Sequence, residues 1–173
     1  FISGAAGPRI NSGGGDLVEL NILGRPHKTL VLLGDWQGRI LPPQASQAEL
    51  LLWLANKPLY LAAEPPLPEG RSLPCLFVNG TGLCASGKTN YVLAGRSAYT
   101  GGRGELLAAA PYFDEGLYVW QERGGAIDPG LPPRQLLPRA LIEGARLFFA
   151  QVGLSRAVIG VSGGIDSALA ACV

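Results

Sequence analysis

The chain has 173 residues, 47% of them apolar and 16% charged, with 25 Gly, 14 Pro and no Met. The apolar share supports a buried core, yet no apolar run reaches the ~20 residues of a membrane span, and the low charge argues against a disordered acidic or basic tail. Fourteen basic residues against thirteen acidic ones give a net charge of +1, with no basic stripe to follow a nucleic-acid backbone.

Residues 1–28 are rich in Gly and Pro, and the alternation in Asp16 to Leu23 predicts one strand. Lys28 to Trp36 reads as a buried strand that stops at Gly34-Asp35. After Pro42-Pro43, Gln44 to Lys57 offers a helix start whose apolar run could finish as a strand. Glu64 to Pro74 is a Pro-rich loop, and Cys75 to Asn79 a second buried strand. Asn90 to Trp120 reads as short strands separated by Gly turns, the sharpest being Thr100 to Glu105. Residues 121–133 follow neither period and hold Pro and Gly, which predicts a linker. Arg134 to Gly153 then carries Leu137, Leu141, Ala145, Phe148 and Phe149 at helical spacing, with Gly153 as the stop. Ala157 to Val161 reads as a β-branched strand, and Ser162 to Val173 as a Gly turn opening a second helix.

Strand, Gly turn and helix in that order outline a phosphate site. Gly163 and Gly164 leave room for inward backbone N–H groups, and the helix start presents unpaired donors and a positive dipole end to an anion. Ser162 and Ser167 add hydroxyls. Asp166 would repel phosphate alone but suits a Mg²⁺ ligand, because the metal reverses the local charge. An ordinary turn capped by Ser is the bland alternative. The whole stretch Gly160 to Ala171, with Gly160, Val161, Ser162, Gly163, Gly164, Ile165, Asp166 and Ser167 as nucleotide-binding residues, resembles the pyrophosphate-binding loop of the N-type ATP pyrophosphatases. Ile165 and the preceding helix are most similar to the NAD synthetases among them. The resemblance implies ATP and Mg²⁺ as cofactors and the start of a doubly wound, Rossmann-like domain over 134–173.

The region before the linker is similar to the C-terminal half of a nitrilase-like glutaminase domain, which glutamine-dependent NAD synthetases carry ahead of the loop. Leu76 to Gly82 is similar to a strand ending in Asn-x-x-Gly. Gly95, Ser97, Gly104, Ala110, Pro111, Phe113 and Glu115 fit the Gly-x-Ser, Gly-turn and Ala-Pro-x-Phe-x-Glu elements that follow. An α/β architecture is implied: residues 1–120 as part of an α-β-β-α sandwich, 121–133 as linker. The implied partners are nicotinic acid adenine dinucleotide and ammonia or glutamine, in an oligomer of copies of the full-length protein. One departure is decisive for chemistry. Leu33 stands where the family has its Cys nucleophile, and Leu has no lone pair to attack an amide. The Ser residues of the glutamine-contacting segment are also absent from Leu54 to Pro58. The glutaminase half is therefore expected to be a non-hydrolysing scaffold.

Other features take bland readings. Gly82 to Thr89 matches the Walker A string, which leaves a P-loop nucleotide-binding protein as a less favoured reading, because the β-branched and Gly-broken run after it lacks the period of the helix that loop must open. Cys75, Cys84 and Cys172 lack metal-ligand spacing, Cys75 reading as a core residue and Cys84 as a loop residue; with one His, His27, no multi-His site forms. Free thiols suit a reducing cytoplasm. Asp114-Glu115, read as strand neighbours, would point to opposite faces. The start at Phe1 resembles neither a signal nor a transit peptide, so the chain is expected to be a piece of a longer protein, inactive alone. A non-catalytic scaffold or remnant is the alternative.

Overall fold

A computed structural model describes residues 15–22, 24–34, 40–59, 72–86, 88–121 and 123–173. The first fourteen residues, Asp35 and Trp36, and most of the Pro-rich stretch before Ser72 lie outside this description. Eight strands and two helices are described: β1 (Asp16–Ile22), β2 (Arg25–Leu33), β3 (Leu50–Ala55), β4 (Cys75–Asn79), β5 (Thr81–Ser86), β6 (Thr89–Ala94), β7 (Ala98–Thr100), β8 (Leu106–Ala109), α1 (Pro133–Val152) and α2 (Ile165–Cys172). One sheet runs β1-β2-β3-β4-β7-β8, and β5 and β6 form a separate hairpin.

β2, β3 and β4 are parallel, with antiparallel strands on either side. Their register aligns two rows of side chains on one face. Leu30 pairs with Leu51 and Leu51 with Cys75; Leu32 pairs with Trp53 and Trp53 with Phe77. All six are buried, and Leu17, Leu41, Ala45 and Leu73 pack against them. The Trp53 and Phe77 rings meet at 4.8 Å, tilted by 57°, an edge-biased geometry that aromatic quadrupoles favour. The opposite face is only half covered, with Leu54 and Val78 exposed. Period-two alternation has therefore decided which apolar residues are core, even in runs as continuous as Leu50 to Leu54. As expected, the Gln44 region starts as a turn of helix, a 3-10 turn over Pro43–Gln47, and ends as strand β3.

Helix α1 is found where expected, and two other expectations are corrected. The helix has Pro133 at its first turn and Gly153 closing it at φ +72°, but Leu137, Leu141 and Phe148 are exposed. The seated face carries Leu136, Ala140 and Glu143, against the β5–β6 hairpin. The reason is steric. A Cβ on Gly144 would lie 2.9 Å from Val92 Cγ2, so the hairpin approaches along the strip where α1 is small. Glu143 tolerates burial because Arg139 Nη2 (2.9 Å) and Arg146 Nη2 (2.8 Å) hold both its oxygens. Next, Ala157 to Val161 is not a strand: it has no ladder partner among the described residues, and a strand is stabilised by its partner. Finally, no strand is found between Ala110 and Trp120, so Asp114 and Glu115 are not strand neighbours.

Residues 123–132 lack helix or strand, and they are docked. Gly125 N–H donates to Leu107 O (3.0 Å) and Asp128 N–H to Ala109 O (3.0 Å), running the segment along β8. No helix among the described residues is long and apolar enough to cross a membrane.

Candidate functional site

The turn into α2 is built by its own neighbours. Gly163 adopts φ +87°, a left-handed conformation that costs a side-chain-bearing residue about 1–2 kcal/mol. Ser162 N–H donates to Ser167 Oγ at 3.2 Å, and the two hydroxyls meet at 3.2 Å. Ser167 Oγ also donates to Gly164 O at 3.0 Å. A hydroxyl has one proton, so with Ser167's committed to Gly164, Ser162 must be the donor between the pair. Both hydroxyl protons are thus spent on closing the loop. The sequence assigned these serines to the ligand; in this structure their hydroxyls shape the turn.

The donors left over are backbone. The amides of Ile165, Asp166 and Ser167, the first three of α2, have no acceptor among the described residues. They point out of the helix start, where its dipole is positive. Asp166 is exposed in the first turn, and no cluster of three or more metal-ligating side chains occurs among the described residues. Every residue from Gln151 to Val173 except Ser167 is exposed.

A second location is the C-terminal edge of β2 and β3. Leu33 ends β2, and Gly34 follows at φ +81° with space around it. Trp53 Nε1–H donates to Gly34 O at 2.7 Å, and Gly34 N–H to Leu54 O at 3.0 Å. Neither Leu33 nor Gly34 offers a nucleophile. Lys57 is buried, its Nζ 5.3 Å from the Trp53 ring centre. Asn79 stands beside it: its Oδ1 accepts Lys57 N–H (2.7 Å) and its Nδ2 donates to Gly95 O (2.9 Å). Asn79 N–H donates to Ser97 Oγ at 3.1 Å. The Asn-x-x-Gly and Gly-x-Ser elements, eighteen positions apart, therefore meet, and their polar atoms tie strand ends together.

The Walker-like string is a hairpin. Thr81 to Ser86 and Thr89 to Ala94 pair antiparallel, Ser86 opposite Thr89, and Lys88 is exposed at the turn. No helix follows, as a phosphate loop would need. Cys84 is an exposed strand residue opposite Tyr91, correcting its placement in a loop, while Cys75 is in the core as expected. His27 lies in β2 with Nδ1 3.6 Å from Glu49 Oε2.

No protein-family model matches the chain. Over 110 residues it is 33% identical to a glutamine-dependent NAD(+) synthetase of Rhodobacter capsulatus, covering 58% of this chain and 19% of that enzyme. A second enzyme of that name, from Synechocystis, is 29% identical over 110 residues, 59% of this chain and 19% of the relative. The resemblance is to glutamine-dependent NAD(+) synthetases. The fold agrees: the structure of such an enzyme from Acinetobacter baumannii, in complex with ADP, superposes with a TM-score of 0.69 over 92% of this chain and 32% of its own, at 22% identity. The chain spans about a fifth of the length of the curated relatives it matches (19%).

Sequence reading missed Arg96 and Asp128. Their pairing spans 32 positions, and neither residue carries a local signal.

Proposed function

We propose that this chain is a segment of an ATP-dependent NAD synthetase, in which residues 1–120 derive from a nitrilase-like domain and 134–173 open an ATP pyrophosphatase domain. The reaction is amidation of nicotinic acid adenine dinucleotide. Its carboxylate attacks the α-phosphate of ATP, pyrophosphate leaves, and ammonia then displaces AMP. The observation that carries this reading is the loop at α2: three free amides at a helix start, on a turn locked by Ser162, Gly163 and Ser167. Those amides would receive the pyrophosphate charge as it develops. A Mg²⁺ ion would suit Asp166, since this ion typically takes one or two carboxylates plus substrate phosphates and water. Bound there, it would neutralise the leaving group.

The nitrilase-like part is read as a scaffold that does not hydrolyse glutamine, because Leu33 and Gly34 close the strand end where a nucleophile is needed. The full-length protein would then use ammonia, from solution or from a partner. The test is AMP formation by the full-length protein with ATP, Mg²⁺, the deamidated dinucleotide and either donor. Ammonia-supported turnover, lost in Asp166→Asn, is expected. No AMP with either donor would overturn the synthetase reading; glutamine turnover abolished by a change within residues 1–120 would overturn the scaffold reading alone.

A further inference from the structure

Arg96 stands in the left-handed region at φ +60°, a conformation that favours Gly, yet it is almost completely buried. Its Nη1 donates to Ala110 O and to Asp128 Oδ1, both at 3.0 Å. Its guanidinium carbon lies 5.0 Å from the centre of the Tyr112 ring, a cation–π distance. Asp128 Oδ1 also accepts Gly130 N–H at 2.7 Å. Gly130, at φ +75°, sits tight against the guanidinium: a Cβ would come within 3.1 Å of Arg96 Nη2, which would have to give way by a few tenths of an ångström.

Three chain passages converge on this guanidinium: the exit of β6, the residues after β8, and the segment leading to α1. The first and third both govern α1. The hairpin containing β6 is the surface on which α1 sits, and Asp128 lies five positions before Pro133, where α1 begins. We infer that Arg96 is a positioning residue: its clasp on Asp128 joins the seat of α1 to the tether of α1 and so fixes the helix's pose on the hairpin. The inference stands on the fold and does not depend on the reading of the reaction. Arg at a Gly-favouring φ makes sense only if the side chain returns more than the backbone conformation costs.

Arg96→Gly separates the alternatives, because it relaxes the backbone while deleting the clasp. Asp128→Asn, a milder change, keeps the shape and removes the charge. Both are made in the full chain in a Cys172→Ser background, with spin labels on Cys84, which is exposed on β5, and on a Gln151→Cys site in the last turn of α1. The expected result is a single narrow Cys84–151 distance for the parent and a distinctly broader distribution for both variants. Amide exchange at Gly125 and Asp128 should accelerate about tenfold or more, with exchange in β2, β3 and β4 unchanged. An unchanged distance distribution and unchanged exchange at those two amides would overturn the inference. So would a rise in thermal midpoint for Arg96→Gly, which would mean that Arg96 only fills a turn that Gly fills better. If Arg96→Gly fails to fold, Asp128→Asn decides by the same two readouts.

Discussion

Trp53 and Ser167 show two ways of holding a chain in place. Trp53 is buried between Leu32 and Phe77, and its indole N–H reaches across to Gly34. Its position is over-determined by strands distant in sequence. Among the described residues, Ser167 is held by Ser162 and Gly164, within five residues of itself, on a segment exposed almost throughout. The sheet is therefore a cooperative object, whereas the loop is a local one whose shape survives without packing. A site that must close around an anion gains from the second arrangement, because its free amides are not consumed by the body of the fold.

That contrast is testable from its strongest side. Trp53→Ala should cost about 3–5 kcal/mol, from the lost ring and the cavity left behind, read as a fall in the urea midpoint. The same truncation of exposed Leu169 on α2 should stay within about 0.5 kcal/mol; a larger loss would mean that α2 is packed. Asn79→Ala should cost about 1–3 kcal/mol, because Lys57 N–H and Gly95 O both lose their partner. Gly163→Ala meets no atom but is strained at φ +87°, so the urea midpoint should fall slightly, by at most about 1–2 kcal/mol of stability, less where the exposed turn relaxes. It should weaken pyrophosphate binding about tenfold, by calorimetry, as backbone strain of about 1.4 kcal/mol implies. Lys88→Ala should change neither stability nor ATP binding, since Lys88 caps a hairpin turn.

The smallest effect concerns Tyr118. Its hydroxyl donates to Asp114 Oδ2 at 2.5 Å, and that bond, before burial or charge, raises its pKa above the ordinary 10.0. A raised folded-state pKa stabilises the protein below the unfolded value, and the contribution fades as pH climbs through the folded value. A phenolate absorbance titration of Asp114→Asn should bring this tyrosine's transition down toward 10.0. An unmoved transition would show the bond to be absent in solution.

Legibility followed the same divide. The turn into α2 was readable because Ser162, Gly163, Gly164 and Ser167 act on one another over a few residues. So were β2, β3 and β4, whose apolar runs carry their own signal. The helix α1 was readable from its spacing, but its seated face was not: Leu137, Leu141 and Phe148 are exposed, and the contact is set by smallness at Gly144, opposite Val92. The Walker-like string at Gly82 to Thr89 shows the converse: a match in letters that β5 and β6 turn into a hairpin. Arg96 and Asp128 were invisible because nothing within either residue's neighbourhood announces a partner 32 positions away.

The mixed sheet also dictates how this chain is born. β1 with β2, and β5 with β6, are adjacent hairpins, which close in roughly 1–10 μs. The two parallel joins cannot form this way. β2 must wait for the chain to cross from Leu33 to Leu50, and β3 for the passage from Ala55 to Cys75. Those crossings carry loop-closure entropy before any contact rewards it. The edges of β2, β3 and β4, with their Leu-rich rows, are therefore the surfaces exposed longest during folding, and they are where a crowded refolding reaction will aggregate first.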